Sequence, residues 1–145
     1  MFHLAILCLG LVSIPQGGAV ATTERHATQV GLDILASGGN AIDAAIAVHF
    51  ALAVTYPNAG NIGGGGFLLY HAPDGNDYFL DFREVAPAAA TSDMFAGDSK
   101  SSTLGWRAVG VPGAVPGMWE AHQKFGSLEW SKLVAPAISL ARDGY

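Results

Sequence analysis

The sequence has little charge and almost no cysteine, and both shortages restrict what the protein can do. Charged residues make up 13% of the 145 residues and the net charge is −5. The chain therefore lacks the basic surface with which proteins hold nucleic-acid phosphates, and nucleic acid is not an expected partner. Cys8 is the only cysteine, which excludes an intrachain disulfide and a cysteine-based metal site.

The histidines give no better support for a metal. None of the five belongs to a His-Glu-x-x-His pattern or another ligand spacing. We therefore expect no metal and no other cofactor. His49 lies within an apolar stretch, where a lone histidine is more often a hydrogen-bonded core residue than a catalytic base.

Apolar residues and glycines dominate what is present. Half of the chain is apolar, which is enough for one domain of this length to bury a core. The 19 glycines are concentrated at 17–18, 38–39 and 63–66. This distribution favours a compact α/β protein with tight turns.

The N-terminus is typical of a secretory signal peptide. Residues 4–14 form an apolar run of eleven, followed by Pro15, Gln16 and small residues. Such a run is too short to span a bilayer, which takes about 20 residues. We expect residues 1–18 to be the signal and residues 19–145 to be secreted or periplasmic. Ala19-Val20-Ala21 is either a second cleavage motif or a first short strand.

Two consecutive helices are predicted in the next part of the chain. Apolar residues recur at helical spacing from His26, and Gly38-Gly39 ends that helix. Asn40 is a suitable N-cap for a second helix over residues 41–56. Only two polar residues interrupt the apolar side chains of this helix as far as residue 54. It should therefore be buried on nearly all sides.

A β-hairpin is predicted after a run of four glycines. Gly63–Gly66 leads into an apolar strand at 67–70, and a Pro-Asp-Gly-Asn turn separates it from a second strand at 78–82. No lysine follows the glycines, and they lie between a helix and a strand. They are expected to allow close backbone packing, and not to bind phosphate. Arg83 stands at the end of the second strand, where α/β folds often place their chemistry.

The second half is predicted to contain a long surface loop, a short strand and two helices. The loop covers residues 88–106, with one helical turn near 93–95, and the strand covers residues 107–111. The helices are predicted from Pro112-Gly113 to about Lys124 and over 130–143, where Pro136 should introduce a kink. No closing strand follows Tyr145, which is typical of a segment cut from a longer protein.

Four separated motifs stand in the order of a known family. They are GGNAIDAAIAVHFALAVTYPNAGNIGGGGFLLY, LDFREVAP, AVGVPGAVPGMWEAHQKFG and LVAPAISLARDGY. Together they resemble the N-terminal part of the large subunit of the gamma-glutamyltranspeptidase (glutathione hydrolase) family. The resemblance extends from Gly18 to Tyr145.

This resemblance implies a partial αββα sandwich of the N-terminal-nucleophile hydrolases, an α+β fold. It implies a precursor that cleaves itself, so a small subunit from the same precursor is the expected partner. The substrates would be glutathione and other gamma-glutamyl compounds, with water, amino acids or peptides as acceptors. The nucleophile would be the first threonine of the small subunit, whose own α-amine can act as its base. That threonine would lie beyond Tyr145, so no catalytic residue is expected in this chain, and the chain alone should be inactive.

Arg83 is the only substrate-binding residue that the resemblance carries over. The Asp-Phe-Arg-Glu motif matches the arginine that pairs with the glutamyl α-carboxylate, and a planar guanidinium suits a carboxylate well. Alternatives remain open. Arg83 could instead form a surface ion pair with Glu84 or Asp81. The whole protein could be a related acylase that acts on cephalosporins or amide-linked polymers, or the chain could be inactive except within an assembly.

Overall fold

The computed structural model describes residues 17–145, so the predicted signal peptide lies almost wholly outside the described residues. The described part contains four α-helices and one β-hairpin. They are α1 (Arg25–Ala36), α2 (Ala41–Thr55), β1 (Phe67–His71), β2 (Asp77–Asp81), α3 (Ala114–Phe125) and α4 (Trp130–Asp143). None of these helices is long and apolar enough to cross a membrane.

The two predicted N-terminal helices are confirmed, and each begins at a polar cap. The Glu24 side chain accepts the Ala27 N–H at the start of α1. Gly38 has a φ of 92°, a left-handed conformation that glycine adopts without a steric penalty and that ends the helix. Asn40 then caps α2 as predicted. The residues at 19–21 form no strand.

Helix α2 lies at the centre of the core. It packs against α1 on one side and α4 on another, and Ile46 and Leu133 are fully buried where these helices meet. The many alanines of α2 leave thin side chains, so neighbouring helices approach closely. Leu68, Tyr70 and Leu80 of the hairpin pack on the same core. One face of the hairpin is therefore covered by helices.

The hairpin is also confirmed, with its register set by the predicted turn. Phe67 stands opposite Asp81, Leu69 opposite Phe79, and His71 opposite Asp77, in an antiparallel pair. Gly75 has a φ of 84° in the turn, which explains the glycine at that position. Because successive side chains of a strand point to opposite faces, these residues share the face turned away from the helices.

Two predictions for the second half are wrong. Residues 107–111 form no strand. A short 3-10 helix covers Trp106–Ala108, and Val111 makes only an isolated bridge with Val85. Pro112 lacks the N–H that a longer ladder would need. The turn expected near 93–95 is not helical but belongs to a series of turns, and a second 3-10 helix follows at Ser99–Ser102.

The last two helices agree with the sequence. Helix α3 ends at Phe125 with Gly126 as its C-cap, and α4 continues through Pro136 to Asp143. Leu133 and Ala137 form the buried side of α4. The start of α3 lies beside the hairpin, because the Gly113 and Ala114 N–H groups donate to the Gly64 carbonyl.

The outer face of the hairpin is apolar and uncovered in the described part of the chain. Phe67 is 58% exposed, Phe79 65% and Leu69 78%. The Phe67 and Phe79 rings stack at 5.7 Å between centroids. A contiguous apolar face of this kind normally packs against another layer.

We expect the 145-residue chain, expressed alone, to bind a hydrophobic dye or to aggregate, because this face has nothing to cover it. Dye fluorescence and sedimentation are the measurements. Replacing Leu69 and Phe79 by lysine should lower the dye signal, whereas Ile138→Lys on the exposed side of α4 should leave it nearly unchanged. A monomer that melts sharply and binds no dye would contradict the expectation.

Candidate functional site

Arg83 lies in an exposed segment directly after β2, and the residue before it is an anchor. Phe82 is 8% exposed and belongs to the core. Its N–H donates to the Gly66 carbonyl at 3.0 Å, and its carbonyl accepts the Gly66 N–H at 3.4 Å. The backbone pairing of the hairpin therefore continues to the residue next to Arg83.

Glycines beside this segment have no side chain, and this allows their backbone to pack closely against it. A Cβ added at Gly65 would lie 2.5 Å from the Phe82 carbonyl oxygen and 2.6 Å from the Arg83 Cα. Added at Gly113 or Gly117, it would collide with Phe82. Real Cβ atoms do not approach backbone atoms so closely, so only glycine fits at these positions. The predicted close packing of the glycine run is confirmed at Gly65 and Gly66, whereas Gly63 faces open space.

Backbone hydrogen bonds join the same glycines to the start of α3. The Gly64 carbonyl accepts the N–H groups of Gly113 at 2.8 Å and Ala114 at 2.9 Å. On the other side of Arg83, Val85 and Val111 exchange two backbone hydrogen bonds. The Arg83 backbone is therefore fixed between the glycine run and the segment that leads into α3.

The Arg83 side chain is exposed and its guanidinium is not paired with a carboxylate. Its Cζ lies 5.8 Å from the centre of the Phe67 ring, within the range of a cation–π contact. The Asp81 carboxylate accepts the Arg83 backbone N–H at 3.0 Å. The ion pairs found among residues 17–145 do not include Arg83. The alternative of a surface ion pair with Glu84 or Asp81 is thus not seen, and the guanidinium can receive an anion.

A cleft of about 350 Å³ lies beside the two aromatic residues that flank Arg83. Phe67 and Phe82 line it, together with His49 and Asn61. His49 was expected to be a hydrogen-bonded core residue, but its Nε2 is buried and makes no hydrogen bond with the described residues. Burial lowers the pKa of His49 below its usual 6.5, and the Asn61 backbone offsets part of that shift.

The buried Asp43 carboxylate lies away from Arg83 and joins the helices that hold the site in place. The Asp43 carboxylate is fully buried, and it accepts the Asn40 N–H at 2.9 Å and the Ser127 N–H at 3.0 Å. The Leu128 N–H and the Ser127 hydroxyl also donate to it. The Asn40 side chain donates to the Phe125 carbonyl at 2.7 Å. The start of α2 is thereby joined to the loop between α3 and α4.

Asp43 is ionised despite its burial. Removal from water raises the pKa of the Asp43 carboxyl. The hydrogen bonds from Ser127, Asn40 and Leu128 together lower the pKa by more than burial raises it, so it lies below the usual 3.8. Sequence patterns identified Asn40 as a cap but gave no sign that Asp43 reaches the α3–α4 loop.

Within residues 17–145, no group of three or more His, Cys, Asp or Glu side chains is placed to hold a metal ion.

Comparison with known proteins decides the family. The sequence model of the family described as gamma-glutamyltranspeptidase matches residues 27–145. The chain belongs to the gamma-glutamyltranspeptidase family. The structure therefore shows the part of a gamma-glutamyltranspeptidase that carries the Asp-Phe-Arg-Glu motif.

Individual relatives agree with this assignment. The glutathione hydrolase proenzyme of Pseudomonas aeruginosa is 53% identical over 134 residues, which cover 89% of this chain and 24% of that protein. The solved gamma-glutamyltranspeptidase of Pseudomonas nitroreducens is 53% identical with a TM-score of 0.82, and the match covers 87% of this chain and 39% of that one. The chain thus spans about a quarter of the length of the curated relatives it matches.

A more distant neighbour is named for a different activity. The cephalosporin acylase of Bacillus halodurans is 31% identical with a TM-score of 0.73, and the match covers 93% of this chain and 28% of that one. The likeness to these structures confirms the predicted fold class, a partial α+β fold of the N-terminal-nucleophile hydrolases.

We predict that Asp43→Ala destabilises the complete gamma-glutamyltranspeptidase by about 3 kcal/mol, since it leaves several buried donors without an acceptor. Thermal or denaturant unfolding measures the loss. The matched control is Asp33→Ala on α1, whose exposed carboxylate accepts one bond from Gln29. It should cost a few tenths of a kcal/mol.

The same carboxylate gives a pH dependence. The pKa of Asp43 is lower in the folded than in the unfolded protein, so its stabilisation is complete above the usual 3.8 and is lost as the pH falls through the folded value. The difference between wild type and Asp43→Ala should therefore shrink in strong acid. A difference that stays constant would show that the charge does not matter.

We also predict that Gly65→Ala distorts the Arg83 segment, because the new Cβ would overlap the backbone of Phe82 and Arg83. Overpacking of this kind costs about 1 to 3 kcal/mol. Gly63→Ala is the control, since a Cβ there meets nothing within 4 Å. Equal melting temperatures for the two variants would be evidence against the close packing at Gly65.

Proposed function

We propose that this chain is the N-terminal part of the large subunit of a gamma-glutamyltransferase and glutathione hydrolase. The enzyme would cleave the gamma-glutamyl amide bond of glutathione and transfer the glutamyl group to water, an amino acid or a peptide. The observation that carries the proposal is the Arg83 guanidinium, which is exposed, forms no ion pair with residues 17–145 and is held on a fixed backbone. The P. aeruginosa relative, named a glutathione hydrolase proenzyme, supports it.

In this proposal Arg83 recognises the substrate and takes no part in bond cleavage. Its planar fork donates two hydrogen bonds to the α-carboxylate of the glutamyl group. Phe67 lies under the guanidinium and limits its movement, so less conformational freedom is lost when substrate binds.

The reacting groups lie in the second subunit. There the threonine hydroxyl attacks the gamma-carbonyl, an ester to the enzyme forms, and the amine of the leaving dipeptide departs with a proton. Water or an acceptor amine then attacks the ester and releases the threonine. The small subunit is a product of the same precursor and is the partner of this chain. The proenzyme names of the relatives support such a precursor.

The protein is also proposed to act outside the cytoplasm. The apolar run at 4–14 and the small residues after it support a signal peptide over residues 1–18. The mature part would then begin near residue 19, in a secreted or periplasmic protein. The acylase alternative is less well supported, because the acylase neighbour has lower identity than the transpeptidases.

Removing Arg83 should weaken turnover of gamma-glutamyl substrates in the complete enzyme. Arg83→Ala leaves the α-carboxylate unpaired, which costs about 2 to 5 kcal/mol. The expected fall in kcat/KM for a gamma-glutamyl anilide is more than about tenfold. Arg83→Lys should recover only part of it, because an ammonium lacks the planar fork. Cleavage of the precursor into subunits, followed on a gel, should be normal in both variants.

Two controls sharpen this experiment. Arg107 is a second exposed arginine, whose Cζ lies 5.8 Å from the Phe95 ring centre, so Arg107→Ala removes a similar group elsewhere and should leave kcat/KM nearly unchanged. A 4-aminobutyryl anilide keeps the amine but has no α-carboxylate, and any slow hydrolysis of it should not depend on Arg83. Normal turnover of the gamma-glutamyl anilide by processed Arg83→Ala would refute the proposed role.

A further inference from the structure

His49 lies on α2 behind the residue that anchors Arg83. Its ring is 6.3 Å from the Phe82 ring with an angle of 80° between the planes, and 5.6 Å from the Phe50 ring at 89°. These are edge-to-face contacts, which aromatic rings favour. His49 therefore supports the Phe82 ring from the side of the helices.

The same residues surround one cleft. Phe82 and Phe67 line it beside His49. Phe82 is bonded to Arg83 along the chain, and Phe67 lies under the Arg83 guanidinium. A displaced His49 ring would therefore shift Phe82 and, through the backbone, Arg83. It would also change the shape of the cleft next to Phe67.

The ring is held by packing more than by hydrogen bonds. Its Nε2 is buried without a partner among the described residues, and so is the Oδ1 of Asn61 in the same cleft. No residue that lines the cleft carries a formal charge, and Tyr56 is the other titratable side chain there. The Arg83 guanidinium lies near the Phe67 ring that lines the cleft, with its Cζ 5.8 Å from the ring centre. These surroundings favour a neutral imidazole.

We infer that His49 is a positioning residue: the neutral ring holds Phe82, and thereby Arg83, in the position that receives the substrate carboxylate. This inference rests on the proposed function of Arg83. A protonated His49 ring would place a positive charge in an apolar cleft that already has the positive Arg83 guanidinium nearby. Burial opposes that state and lowers the pKa of His49 below 6.5. Substrate binding should consequently weaken as the pH falls towards this lowered pKa.

The test uses the complete, processed enzyme and a gamma-glutamyl anilide. His49→Ala removes the ring and should raise KM by about fivefold with little change in kcat, since the residue does not touch the reacting atoms. His49→Phe keeps an aromatic ring that cannot be protonated, and should restore KM near pH 8. The rise in KM that we expect for wild type in acid should be smaller in His49→Phe. His71→Gln, at an exposed histidine of β1, is the control and should behave like wild type.

A double-mutant cycle separates positioning from general structural damage. In an Arg83→Ala background, His49→Ala should have no further effect on KM, because the group that it positions is gone. A normal KM in processed His49→Ala, or an equal effect with and without Arg83, would overturn the inference. If His49→Ala is not processed, the pH profile of His49→Phe decides, and a profile identical to wild type would overturn it. Normal turnover by Arg83→Ala would instead refute the proposed function itself.

Discussion

One buried carboxylate determines how the helices of this chain are joined. Taking a charge out of water costs several kcal/mol unless hydrogen bonds replace the lost hydration. Asp43 receives such bonds from its own helix cap and from Ser127 and Leu128 in the α3–α4 loop. The loop must therefore sit where it satisfies the charge, and α3 and α4 are placed with it. The glycine run meets the start of α3, so the position of Arg83 depends indirectly on this group.

The candidate site depends more on glycines without a Cβ atom, which allow close backbone approach, than on side-chain contacts. Gly65, Gly113 and Gly117 let three stretches of backbone meet around Phe82. The guanidinium of Arg83 then projects from a closely packed segment. A substrate would find the arginine in a nearly fixed position, which is the arrangement that recognition of a small carboxylate requires.

Local patterns were sufficient for most of the elements. The Asn40 cap, the positive-φ glycines and the Pro-Asp-Gly-Asn turn each act within a few residues, so the helices and the hairpin follow from the sequence. The strand predicted at 107–111 does not form, because apolar β-branched residues favour a strand only when a partner strand and free N–H groups are available. The sequence also placed Arg83 at a strand end. It could not show that Phe67 lies under the guanidinium or that Gly113 and Gly117 crowd Phe82, because those contacts join distant parts of the chain.

The uncovered hairpin face also bears on how the protein is synthesised. A ribosome adds about 5 to 20 residues per second, and the P. aeruginosa relative is about four times as long as this segment. The strands of such a protein would wait on the order of tens of seconds for the layer that covers them. The face has charges at both ends, with Asp81 opposite Phe67 and a 2.7 Å His71–Asp77 pair beside the turn. Charges in these places oppose the addition of a further strand at the ends of the hairpin, but the apolar centre of the face stays exposed during that interval.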